Sequence, residues 1–272
     1  MSLTDPSIPI PVLPDEDWTD LCIYNDVHGL AASPLAHQWK VLQKTQGFRF
    51  SIDAVLLSRF IEPKIKKPQR LLDLGTGSGI MPILLASRYA NLQIDGIELQ
   101  PAIADMATRS VQYNHMESQI HIHQHDLTQL PRSFEQKYDW VISNPPFFRV
   151  GSGQQNPDPQ IALARHEIAT TLDQLLKCAT SCLKDLGHFA VIHRAERLPE
   201  LLSLCRSHRL APLRLRTIHT TLDQPANLIL FEAVKNGRNE ISLLPPLASY
   251  KNEPRITSDK STYSDEVLSY YQ

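Results

Sequence analysis

Two short stretches of this chain carry residues able to do chemistry: Asn144-Pro145-Pro146-Phe147 and the glycine run from Gly75 to Gly79. In the first, the Asn144 side-chain oxygen and the Pro145 carbonyl are two acceptors separated by one peptide. They suit a planar amine that must give up both N–H groups to hydrogen bonds while its lone pair is turned towards an electrophile. Proline fixes φ and so holds its own carbonyl rigidly. Phe147 offers a face on which a flat base can stack, worth roughly 1–3 kcal/mol by analogy with single-strand binders. The plainer reading is a strand terminator, because two prolines end a ladder.

The second stretch, LLDLGTGSGI, is an apolar strand closed by Asp73 and followed by Gly75, Gly77 and Gly79. Alternating glycines let a backbone approach a ligand closely, since no Cβ intervenes. A dinucleotide site wants GxGxxG, but here Ile80 occupies the place of the third glycine. The spacing fits a nucleoside without a pyrophosphate better than a nicotinamide dinucleotide.

These stretches need elements to hold them. Ser51 to Phe60 has helical spacing, with Ser51 placed to cap it. Then strands at Arg70–Leu74, Gln93–Leu99, Ile120–His125, Tyr138–Ser143 and His188–His193 alternate with helices at Ile80–Tyr89, Pro101–His115, 168–184 and Leu198–Ser207. Two further strands, 212–219 and 227–235, have no helix between them. Alternation implies a parallel sheet covered on both faces, and the final pair a hairpin with one antiparallel strand. The expectation is an α/β, Rossmann-like fold with a seven-stranded, mostly parallel sheet. Residues 1–37 read as an N-terminal arm, mobile or loosely docked up to about residue 20, 38–67 as a preceding segment, 68–236 as the main domain and 237–272 as an irregular extension.

With the strands in place, the motifs resemble those of class I S-adenosylmethionine-dependent methyltransferases. The resemblance implies S-adenosyl-L-methionine as cofactor. It implies contacts from Asp73, Gly75, Gly77, Gly79, the ribose-binding Glu98, Leu99 beside it, Asp126 near the adenine amine, and Asn144. It also makes Asn144, Pro145, Pro146 and Phe147 the catalytic motif of N-methyltransferases. Those act on adenine N6, on guanine N2 or on protein glutamine, so the motif fixes the reaction class better than the substrate. QKTQGFRFSIDAVLLSRF at 43–60, ARHE at 164–167 and LRLRTIH, ANLILFEAVKNG and LPPL across 213–247 are similar to the bacterial tRNA(Val) adenine-N6-methyltransferases that act beside the anticodon. With the core motifs they cover most of residues 43–250. In that family the segment before the core covers the cofactor, which brings in Arg49 and Asp53. Phe148, Arg165 and His166 join the substrate side. Phe147 stands where many members carry tyrosine.

Composition bounds the rest. The chain has 272 residues, 42% of them hydrophobic and 21% charged, with a net charge of −2. A net-acidic chain has no global electrostatic footprint for nucleic acid, so RNA contacts must be local. Arg197, Arg206, Arg209, Arg214 and Arg216 form one candidate patch for such contacts, and the plainer reading of that run is a solvated helix face followed by an edge strand. The four cysteines show no disulfide or metal spacing. His121, His123 and His125 alternate on one strand and span about 13 Å, too far to share one ion, so no metal is expected. Without a leader or a long apolar run the protein is expected in the cytoplasm, with a structured RNA, best a tRNA, as partner. The rival readings are N-methylation of ribosomal RNA or of a glutamine amide, and an inactive methyltransferase-like platform.

Overall fold

The computed structural model describes residues 10–20, 39–45, 52–64, 66–146, 170–251 and 263–270. Two antiparallel strands, β1 (Glu16–Asp20) and β2 (Lys40–Lys44), come first, followed by α1 (Ile52–Phe60). The main sheet then starts with β3 (Gln69–Leu74), α2 (Ile80–Ala86), β4 (Leu92–Glu98), α3 (Pro101–Tyr113), β5 (Ile120–Gln124) and β6 (Tyr138–Ser143). It continues with α4 (Leu172–Cys182), β7 (Leu183–Arg194), α5 (Leu198–Ser207), β8 (Leu210–His219) and β9 (Ala226–Lys235).

The long strands lie in the order β8-β9-β7-β6-β3-β4-β5. All pairs are parallel except those of β9, which runs antiparallel to both β7 and β8. The anticipated hairpin is therefore present, with its second strand inserted between the first and β7. Chain order reverses between β3 and β6, and this is the switch point at which doubly wound sheets bind ligands.

Because both faces are covered, successive residues at the middle of the central strands are apolar and alternate between two cores. Leu71, Ile94, Trp140 and Ile192 pack against Leu56, Leu57, Ile80, Ile83 and Val111 of the α1–α3 layer. Leu72, Val141, Phe189 and Val191 pack against Leu175, Leu176, Cys182 and Leu201 of the α4–α5 layer. A capping box starts α4: Thr171 Oγ1 accepts from the Gln174 amide while Gln174 accepts from the Thr171 amide. Cys178, Cys182 and Cys205 are buried free thiols in this layer.

Within the N-terminal arm, the described residues 10–20 are docked more firmly than the loose arm expected of this stretch. Glu16–Asp20 is a strand, and the β1–β2 ribbon is clamped onto α3. Arg109 donates two 2.7 Å bonds to the Glu16 carboxylate and a third to the Pro11 carbonyl. The Leu42 and Lys40 amides donate to Ser110 Oγ and Asn114 Oδ1 at 2.9 and 3.0 Å, and Trp18 stacks on Tyr113. Arg109 holds the Glu16 carboxyl below its usual range. Both partners are buried, and removing one strands the other's charge at a cost of about 3 kcal/mol. Arg109→Met is therefore expected to speed hydrogen exchange at the Leu42 and Lys40 amides, which donate to α3, by roughly a hundredfold. Unchanged protection would show that the ribbon is held by its apolar contacts alone.

The C-terminal extension is also more ordered than its composition suggests. The two-residue strands β10 (Ser242–Leu243) and β11 (Leu247–Ala248) pair parallel to β8. Helix α6 (Asp265–Ser269), capped by Ser264, is tied to β8 by Arg216–Glu266 at 2.7 Å. The proposed cap Ser51 lies outside the described residues. No described helix is long and apolar enough to cross a membrane.

Candidate active site

Asp73, the Gly75–Gly79 turn and the end of β6 meet at the switch point. The turn is fixed by β4: the Gly75 and Thr76 amides both donate to the Ile97 carbonyl at 2.9 Å. Gly75, Gly77 and Gly79 have φ of +76°, +57° and +83°, the left-handed region that only glycine enters cheaply. A Cβ added at Gly75 or Gly77 would meet no atom within 4 Å. The backbone thus forms the wall of an open cradle. At Gly96 of β4 the opposite holds: an added Cβ would sit 3.0 Å from Thr76 Oγ1, so the turn lies tightly on the strand behind it.

Glu98 closes the second strand. Its Oε2 accepts from the Gly77 amide at 3.0 Å and its Oε1 from the Gln100 amide at 2.9 Å, so it braces the turn. Burial raises its pKa against the pull of these amides. Leu99, next in sequence, is 40% exposed, an unusual place for a large apolar side chain beside a polar site. Asp126 follows β5 and caps a short 3-10 turn, accepting from the Thr128 amide at 2.8 Å.

Asp73 is fully buried, and neither carboxylate oxygen has a hydrogen-bond partner; the buried Thr76 hydroxyl approaches without completing a bond. Burial pushes the acid up to about 7, Thr76 pulls it back in part, and the charge of Glu98 adds to the rise. An unpaired buried carboxylate is costly, so this one fits a cationic donor in the cradle. S-adenosyl-L-methionine supplies such a donor, its ammonium, together with two ribose hydroxyls suited to Glu98 and an adenine suited to Leu99. The residues present fit that cofactor.

Asn144 and Pro145 are half-buried and Pro146 is exposed. The last ladder pair, Asp73↔Ile142, brings the segments that follow the two strands, Gly75–Gly79 and Asn144-Pro145, to the same end of the sheet. Ser143 fastens the two strand ends, its hydroxyl donating to the Leu74 carbonyl at 2.7 Å. The structure therefore brings Asp73, the three glycines, Glu98, Leu99, Asn144 and Pro145 to one edge of the sheet. Asp53 lies in the first turn of α1, which packs against α2. Arg49, Phe147, Phe148, Arg165 and His166 lie outside the described residues.

Sequence reading missed the bracing roles of Thr76 and Ser143. Only the neighbouring strand makes these visible. The arginine run does not form one surface patch: Arg197 pairs with Glu200, Arg214 with Glu232 and Arg216 with Glu266, leaving Arg206 and Arg209 as its exposed members. His123 bonds Asp95 at 2.7 Å, and among the described residues no three metal-ligating side chains gather.

The family described as the methyltransferase small domain matches residues 51–204. A tRNA1(Val) (adenine(37)-N6)-methyltransferase from Porphyromonas gingivalis is 33% identical over 191 residues, 68% of this chain and 73% of its own length. The chain belongs to that methyltransferase family. A relative of the same description from a second strain of that species is 31% identical over 202 residues, 72% of this chain and 78% of its own. One from Yersinia pestis is 33% identical over 156 residues, 57% of this chain and 61% of its own. Among solved structures, a predicted O-methyltransferase from Agrobacterium tumefaciens superposes with a TM-score of 0.63 at 20% identity, covering 80% of this chain and 95% of that one. A type I restriction-modification methyltransferase subunit from Streptococcus thermophilus gives 0.58 at 14% identity, covering 82% and 51%. At these identities the structures share the fold with this chain, and the family membership rests on the sequence matches.

Proposed function

We propose that the protein transfers the methyl group of S-adenosyl-L-methionine to the exocyclic N6 of an adenine in tRNA, at the adenosine beside the anticodon. The observation that carries this reading is the placement of Asn144 and Pro145 beside the glycine cradle, across the switch point from Asp73. The names of the relatives support the choice of tRNA adenine over ribosomal RNA or glutamine.

When bound, the cofactor supplies an electrophilic methyl on a sulfonium. The protein's part is binding, orientation and charge placement. Asp73 holds the ammonium, Glu98 the ribose hydroxyls through charge-assisted bonds, Leu99 the adenine face and Asp126 the adenine amine. The segment 38–67, with Arg49 and Asp53, covers the methionine end of the cofactor on the 68–236 domain. On the substrate side Asn144 Oδ1 accepts one N6–H and the Pro145 carbonyl the other. This weakens conjugation of the amine with the ring and points its lone pair at the methyl. Phe147 stacks on the flipped base, and Phe148, Arg165 and His166 complete the substrate contacts. No strong base is required, because the proton leaves after transfer. The rate gain is chiefly positional.

The reading places the protein with its tRNA in the cytoplasm. Nucleoside mass spectrometry of tRNA from cells with and without the gene tests it. N6-methyladenosine is expected to vanish from one tRNA on deletion and return on complementation. A methylated nucleoside lost from ribosomal RNA, or a methylated glutamine lost from protein, would move the activity to that acceptor.

A further inference from the structure

Helix α1 has no glycine with which to close its own C-terminal end: Phe60 is followed by Ile61, Glu62 and Pro63. Its last carbonyls are taken instead by arginines from elsewhere in the chain. Arg88, just past α2, donates to the Ser58 carbonyl at 2.7 Å. Arg214 of β8 donates to the Phe60 carbonyl at 3.1 Å, and its guanidinium lies 4.9 Å over the Phe60 ring. Positive charge is favourable at this end of a helix. Arg214 is in turn fixed to the sheet. Its Nε donates at 2.7 Å to Glu232 of β9, an acid only 1% exposed, whose other oxygen bonds Nδ1 of His188 of β7 at 2.7 Å. A further guanidinium nitrogen pairs with Glu62, just beyond α1, at 3.1 Å. One planar fork therefore joins three strands to the end of α1, a geometry that the point charge of a lysine does not reproduce.

The other end of α1 lies towards the cradle. The Arg88 bond sets the C-terminal ends of α1 and α2 side by side, and the two helices pack on each other. Packed helices whose C-terminal ends adjoin run the same way, and these two, of nine and seven residues, are about 13 and 10 Å long. Their first turns are therefore neighbours as well. Helix α2 starts from Gly79, the last glycine of the cradle, and the first turn of α1 carries Asp53. A helix of two and a half turns packed into the core moves as a body, so a shift at Phe60 is felt beside the cradle.

We propose that Arg214 is a positioning residue for the cofactor: held by Glu232, it sets from the far end of α1 where the first turn of that helix stands against the bound cofactor. The proposal rests on the reading that the segment 38–67 covers S-adenosyl-L-methionine.

The test measures calorimetric binding of S-adenosylhomocysteine and the Tm of the full-length protein. Arg214→Lys keeps a cation beside Glu232 but loses the fork. The double variant Arg214→Met, Glu232→Gln removes the pair without stranding a buried charge and leaves His188 a partner. Leu201→Ala is the control, a cavity in the α4–α5 layer on the opposite face of the sheet, which lowers Tm without touching α1. Both Arg214 variants are expected to raise Kd by roughly three- to thirtyfold, the range of coupling carried through packed elements. Leu201→Ala is expected to lower Tm at least as far while its Kd stays within about twofold of wild type. Wild-type affinity in either Arg214 variant, or an equal loss in Leu201→Ala, overturns the assignment of Arg214 and leaves the cofactor reading standing. Absence of binding by the wild-type protein overturns both.

Discussion

Asn144→Ala is expected to lower kcat by about 10²–10³-fold, the loss typical of removing one preorganised hydrogen-bonding group aimed at developing charge. Asn144 contributes no backbone contact to the glycine turn, which hangs on Ile97 and Glu98. Cofactor affinity should therefore stay within about threefold of wild type. The amine acquires positive character only as the methyl transfers, so the Asn144 acceptor is strongest in the transition state, and its loss falls on kcat more than on KM. Single-turnover methyl transfer, combined with calorimetric binding of S-adenosylhomocysteine, separates the two effects. A variant that loses cofactor binding in proportion to rate would make Asn144 a cofactor residue and leave the amine held by something else.

The second large effect concerns Asp73. Its folded-state pKa, about 7, lies above the ordinary 3.8 because the carboxyl is buried without a partner. Between these values the cofactor-free folded protein holds a proton that the unfolded chain has released. The acid's contribution to stability is therefore greatest at the low end of that window and declines as pH rises towards about 7. Binding a cationic cofactor reverses the preference, since the ammonium favours the carboxylate. Cofactor affinity should rise with pH up to about 7, by as much as tenfold per unit, and level off above it. Asp73→Asn should flatten that profile and weaken binding at pH 8 by roughly a hundredfold, the worth of a buried charge-assisted pair. Titration of S-adenosylhomocysteine, which keeps the ammonium, from pH 5 to 8 reads both. A wild-type profile as flat as the variant's would mean that Asp73 does not face the cofactor's charge.

Much of this architecture was legible in the chain because it is written in local patterns. Leu71-Leu72, Val141-Ile142 and Val191-Ile192 are apolar pairs facing both ways, as strands covered on both faces require, and the glycines mark the turn between β3 and α2. Strand Tyr138–Ser143 and helix Leu198–Ser207 begin and end where their patterns do. By contrast, α2 stops at Ala86 although helical spacing runs to Tyr89, because Ser87 to Asn91 must turn back into β4. The β1–β2 ribbon was not legible. EDWTD has three acidic residues of low strand propensity, and Glu16 is buried only because Arg109, distant in sequence, reaches it. The basic run had two readings, a patch for a polyanion and a solvated helix face followed by an edge strand, and the partners that decide between them are distant in sequence. Arg214 and Arg216 look like a patch in one dimension, but folding turns them onto Glu232 and Glu266. Within the site, the acidic strand ends and the asparagine were readable by type and spacing. Ser143 was not, because its bond to the Leu74 carbonyl is a matter of strand register rather than of sequence distance.

The most direct measurement mixes the purified protein, methyl-labelled S-adenosyl-L-methionine and total tRNA from cells lacking the gene, then separates the nucleosides. The account predicts label in N6-methyladenosine of a single tRNA species, abolished by Asn144→Ala while cofactor binding persists. Intact cofactor binding with no label in tRNA, or label in another nucleoside that survives Asn144→Ala, would contradict it.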